Sequence, residues 1–128
     1  YAGTDDGLIQ VTEDGGGSWT KIEVGSLPDV PKTAFVNDIK ADLFEENTVY
    51  VALDNHKFGD FKPYLLKSTD KGKSWKSITG DLPENYLVWR IVQDYVNPEL
   101  FFLALVLVLM IQSLGDRTWN PPVENGDN

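Results

Sequence analysis

Apolar residues in this chain come in short β-prone runs, separated by glycine, proline and acidic turns. Residues 1–4 form one such run, and the turn Asp5-Asp6-Gly7 leads into another at residues 8–12, L-I-Q-V-T. Residues 19–22 make a third strand. Residues 36–41, 48–53, 64–68 and 75–78 read as four more, with Glu45-Glu46-Asn47 as the first turn among them. Residues 24–33 hold Gly25, Pro28 and Pro31, and residues 80–85 hold Pro83, so both read as connections between sheets. The pattern predicts an all-β chain.

One stretch recurs. Residues 68–75 read S-T-D-K-G-K-S-W and residues 12–19 read T-E-D-G-G-G-S-W. A worn third copy at residues 112–119, Q-S-L-G-D-R-T-W, keeps the threonine and Trp119 but has lost the acid. Three of the four tryptophans close these stretches, so they are a repeat. Each copy spells a corner between two strands. Asp14 and Asp70 can accept bonds from backbone N–H groups just ahead of them. Gly16 and Gly72 supply the positive φ of a tight turn, and Ser18 and Ser74 add hydroxyl bonds. Trp19 and Trp75 then start the next strand, each expected to plug the same buried slot. Thr12 and Ser68 open the two corners. Nothing in such a corner needs a substrate.

The wording S/T-x-D-x-G-x-S/T-W resembles the Asp-box, or BNR repeat, of the β-propellers in sialidases, sortilin-type receptors, xyloglucanases and bacterial propellers. The runs G-T-D-D-G-L and F-K-P-Y-L-L-K-S-T-D-K-G-K-S-W resemble the large sortilin-like, glycosyl-hydrolase-like bacterial members. The resemblance covers residues 1–103 well. It implies that the box joins the third and fourth strands of a blade and has a structural role. It also implies a periplasmic or extracellular location. Function does not follow from the fold, because the same box serves enzymes, receptors and assembly factors.

The expected architecture is a β-propeller fragment of about two and three-quarter four-stranded antiparallel blades, not closed. Residues 1–23 would give three strands of one blade and residues 34–79 a complete blade. Residues 86–120 would give a degenerate blade, and residues 121–128 a disordered tail. A second alignment supports the repeat without using the corner. Residues 36–52 register on 88–104 without gaps, with Ile39 over Ile91, Asp42 over Asp94, Tyr50 over Phe102 and Ala52 over Ala104. Blades run about 40–50 residues, and the intervals from Trp19 to Trp75 and from Trp75 to Trp119 suit that length. A ring needs about 4–8 blades, so open faces and edges are expected. The chain starts without Met in what reads as mid-strand. It is therefore expected to be a piece of something longer, whose missing start could carry an export signal.

Residues 100–111 are twelve apolar residues in a row. A membrane helix needs about 20, so no span is expected. Two strands with a poor turn are preferred over a buried helix.

The formal net charge of −9 opposes nucleic acid or anionic membrane as a partner. There is no cysteine, which removes disulfides and thiolate metal sites. Phosphate-loop, nucleophile-elbow and zinc-helix motifs are absent, so no cofactor, metal or catalytic residue is expected. The loop at residues 54–63, D-N-H-K-F-G-D-F-K-P, is the candidate binding loop, being longer than the matching Asp5-Asp6-Gly7 turn. Asp54, His56 and Asp60 could suggest a metal or acid–base site, although a solvated loop is the ordinary reading of such spacing. Phe58 and Phe61 are aromatic groups suited to sugar rings or peptide side chains. Trp89 belongs to no corner; it is expected to pack between blades, the alternative being a ligand contact if it faces solvent near a central channel. The expected role is a binding or scaffold propeller for a protein, peptide or glycan, whose other partners are the remaining blades. The alternative is part of a glycoside hydrolase of xyloglucanase or sialidase type, with its catalytic residues in blades not present here.

Overall fold

The computed structural model describes residues 1–107. The worn copy at residues 112–119 with Trp119, and the tail at residues 121–128, lie outside the described residues. Nine strands form three antiparallel sheets. The first sheet holds β1 (Ala2–Gly3), β2 (Leu8–Val11) and β3 (Thr20–Glu23) in that order. The second holds β4 (Phe35–Ala41), β5 (Val49–Asn55), β6 (Asp60–Ser68) and β7 (Lys76–Ser77), also in chain order. The third pairs β8 (Tyr86–Gln93) with β9 (Phe101–Leu107). Among the described residues there is no α-helix, and so none long and apolar enough to cross a membrane. The protein is all-β, and no sheet closes on itself, as an unclosed β-propeller fragment requires.

The sheets stack face to face, and strand alternation explains why. Val51, Leu53 and Leu66 of the second sheet join Ile9 and Val11 of the first in one core. Tyr50, Ala52 and Leu65, one residue out of step, point the other way and join Val88 and Ile91 of the third in another. The second sheet is thus covered on both faces. Its strand β5 is buried over its whole length, which is why V-Y-V-A-L reads as one continuous apolar run. The connection at residues 24–34 is not idle. Val24, Leu27, Val30 and Ala34 are buried and close one end of the first core.

The second and third sheets share a register in detail. In β4 the pairing with β5 slips between Val36 and Asp38, and in β8 the pairing with β9 slips between Val88 and Arg90. These are matching β-bulges at Asn37 and Trp89. The turns match too. The Asp42 carboxylate accepts the N–H groups of Phe44 and Glu45, and that of Asp94 accepts those of Val96 and Asn97. The first and second sheets correspond likewise: Gln10 faces Lys21 and Val11 faces Thr20, as Leu66 faces Ser77 and Lys67 faces Lys76.

Polar links cross from one sheet to the next. The buried Asp38 carboxylate accepts the N–H of Ile91 at 2.9 Å. Gln93 donates to Asp42 at 3.0 Å, and Tyr50 donates to the same carboxylate at 2.7 Å. The outer face of the third sheet stays open. Val92 is 55% exposed and Phe102 58%, and Trp89, at its bulge, is 42% exposed. Trp89, expected to pack between blades, has no sheet covering it among the described residues. In the apolar run at residues 100–111, Phe101–Leu107 is strand, not helix, and residues 108–111 lie outside the described residues.

Candidate functional site

The two corners share one hydrogen-bond plan. Thr12 Oγ1 and Ser68 Oγ donate to Oδ1 of Asp14 and Asp70, each at 2.8 Å. The same hydroxyls accept the N–H of Gly16 at 2.9 Å and of Gly72 at 2.8 Å. The backbone N–H groups of Ser18 and Ser74 donate to Oδ1 of the two acids, both at 2.8 Å. Their hydroxyls close the loop onto Oδ2, at 2.7 and 2.5 Å. The serine hydroxyls first, then the serine N–H groups, hold both carboxyls well below the usual range, at about 2. Gly16 and Gly72 have positive φ, 98° and 88°, and the residues before them, Gly15 and Lys71, do as well, at 71° and 61°. Lys71 accepts that conformation because Asn47 O takes its N–H at 2.8 Å and Glu13 takes its ammonium at 2.6 Å.

Packing divides the two corners. Ser68 and Gly72 are buried, and Trp75 rests half-buried on the first core with its indole N–H on Gly72 O at 3.0 Å. A Cβ on Gly72 would stand 3.1 Å from Ile22 Cδ1, so glycine also lets this corner press against the first sheet. Trp19 is 47% exposed. The expectation that both tryptophans plug one buried slot is corrected. Trp75 leans on the first sheet, whereas among the described residues no sheet stands against the face beside Trp19. Both tryptophans also precede their strands, which begin at Thr20 and Lys76.

The candidate binding loop is shorter than its sequence suggests. β5 runs to Asn55 and β6 starts at Asp60, leaving a 3-10 turn at His56–Phe58 and Gly59 at φ 78°. The solvated-loop reading fails for Asp54, which is wholly buried. Its Oδ1 accepts the backbone N–H of His56 at 3.0 Å and lies 2.5 Å from His56 Nδ1. Its Oδ2 is buried without a hydrogen-bond partner among the described residues. The contact at Nδ1 leaves Nε2 as the other ring nitrogen, on a half-exposed side chain. Asp60 does not join this pair. Its carboxylate accepts the Tyr64 hydroxyl and the Lys62 N–H. Burial first, and then Asp60, push the Tyr64 hydroxyl pKa far up. Phe61 is half-buried, and its carbonyl accepts the Asn85 N–H at 3.1 Å. Phe58, at 66% exposed, stands out at the tip.

Of the five loop residues, then, His56 and Phe58 face outward, Asp54 supports His56 from below, and Asp60 and Phe61 hold the hairpin's own frame. No protein-family model matches the chain, and no curated protein or solved structure matches it. The local geometry must carry the reading. Among the described residues no group of three or more histidines and acids could hold a metal.

Sequence reasoning missed three contacts that build the surroundings of His56. Phe35 meets its ring edge-on, with centroids 5.5 Å apart at 69°. Lys57 Nζ stands 4.9 Å over the Phe35 ring, a cation–π contact. Thr33 donates to Asn55 Oδ1 at 2.9 Å. Phe35 and Thr33 come from the start of β4 and the connection before it. Only their place beside the hairpin in space, not their spacing in sequence, reveals them.

Proposed function

We propose that this chain is part of an Asp-box β-propeller that serves as a binding scaffold, with structural corners and a recognition surface at the β5–β6 hairpin end. The observation that carries this reading is the doubled corner. Two copies of one hydrogen-bond set consume both carboxylates, and the acids are held at about 2. A glycosidase acid must keep its proton near neutral pH, so its pKa is raised rather than lowered. The low pKa argues against the acid's role. Both oxygens of each carboxylate already accept bonds from their own turn, so neither is free to act as nucleophile or base. Asp14 and Asp70 are framework in this reading. The open faces of the first and third sheets are seats for further sheets of the same kind. The hairpin end offers the group a ligand would touch: the exposed Phe58 ring, the His56 imidazole steadied by buried Asp54, and the Lys57 ammonium. An aromatic face beside a hydrogen-bonding ring and a cation suits a glycan or a peptide side chain.

Glycan and synthetic-peptide arrays probed with the protein test this. A specific signal is expected, reduced at least tenfold by Phe58→Ala at unchanged melting temperature, and by His56→Ala, which also lowers the melting temperature because it takes the ring away from buried Asp54. A signal that survives the double change would remove the hairpin from consideration.

A further inference from the structure

A second surface lies away from the hairpin and needs no family resemblance to be read. A groove of about 830 Å³ runs between β3 and the second corner. All four residues of β3, Thr20, Lys21, Ile22 and Glu23, line it. Successive strand residues point to opposite faces, so a groove that touches all four lies along the strand's edge. β3 is the last strand of its sheet, and among the described residues that edge carries no partner strand.

The free backbone groups can be named. Val24 N–H bonds Gly7 O at 3.0 Å across the hairpin. Antiparallel strands bond through alternate residues, so Ile22 and Thr20 turn their groups toward β2, and Lys21 and Glu23 turn theirs outward. The Glu23 carbonyl is taken by the Ser26 hydroxyl at 2.7 Å. That leaves the N–H and C=O of Lys21 and the N–H of Glu23 facing the groove. Val11, Ile22 and the Trp75 indole give it apolar lining, and Lys71 and Lys73 of the second corner line it too. Lys71 is committed to Glu13, whereas Lys21 and Lys73 have no ion pair among the described residues. On a chain of net charge −9, the groove is locally cationic: Lys21, Lys71 and Lys73 line it against two acids, Glu13, which pairs with Lys71, and Glu23.

We propose that this groove binds an extended acidic peptide segment, added to β3 as a further strand. Backbone bonds to Lys21 and Glu23 would fix its register. Alternate apolar side chains would lie on the face of Ile22 and Trp75, near Lys73, and the acids between them would lie on the other face, beside Lys21. Four strand residues span about 13 Å, so a segment of four to six residues fills the edge.

The test uses the whole chain, ¹⁵N-labelled, titrated with a capped hexapeptide of alternating valine and aspartate. Saturable amide shifts are expected at residues 20–23 and 72–75. A peptide with lysine for aspartate should bind at least tenfold more weakly, and one with alternate backbone nitrogens methylated should not bind. The double variant Lys21→Glu, Lys73→Glu should weaken binding at least tenfold at unchanged melting temperature. Absence of shifts at millimolar peptide would overturn the proposal and make the lysines guards against strand addition. Equal binding of the lysine peptide or the methylated peptide would overturn it too.

Discussion

At Asp14 and Asp70 the chemistry is set within five residues. Each carboxylate gathers its donors from its own turn, so its acidity has a local cause and a checkable sign. A carboxyl held at about 2, below its ordinary value of 3.8, adds stability that is complete above the ordinary value. That contribution is lost as pH falls toward 2. Asp70→Asn is expected to lower the melting temperature at pH 7, and the gap from the parent should close by pH 2. Asp14→Asn should show the same pH course with a smaller shift, because its corner is exposed while the second one is pressed against the first sheet. Thermal melts from pH 7 to pH 2 decide this. A constant gap across that range would mean that the charge plays no part.

For single elements, the corners were legible from sequence because the bonds to their carboxylates reach no further than four residues along the chain. The β5–β6 hairpin end was not. Polar letters in D-N-H-K-F-G-D suggest a solvated loop, yet Asp54 continues a buried strand. It can do so because the His56 backbone and ring lie against its carboxylate, and because Phe35, far earlier in the chain, meets that ring edge-on. Nothing local in the sequence announces such a neighbour. Asp54→Ala should therefore destabilise the chain by roughly 1–3 kcal/mol, the penalty for stranding buried polar groups. Asp54→Asn, which keeps an acceptor for the His56 N–H, should cost less. Urea denaturation of the two variants tests the order, and a reversal would place the stabilisation elsewhere.

On the scale of the whole molecule, the register shared by the sheets was legible because matched positions hold matched residue types, such as Ile39 and Ile91. What covers each sheet was not legible. Trp19 and Trp75 carry the same local signal and differ only in whether a sheet stands beside them. The open face of the third sheet makes a similar point. Phe102 holds the place that Tyr50 holds in the second sheet, and Tyr50 is buried. Phe102→Ser with Val92→Ser should reduce self-association of the isolated chain, measured by sedimentation, without loss of melting temperature. Unchanged association would show that this face is not what makes copies stick.

The second sheet, covered on both sides, gives the molecule a sheltered middle. Deuterium should enter the amides of Val51, Ala52 and Leu53 last, after those of β2, β3 and β8. Fraying then begins with the outer layers and leaves β5 and β6 joined. The tip that bears His56 and Phe58 hangs from those two strands, so it keeps its shape while its flanks breathe.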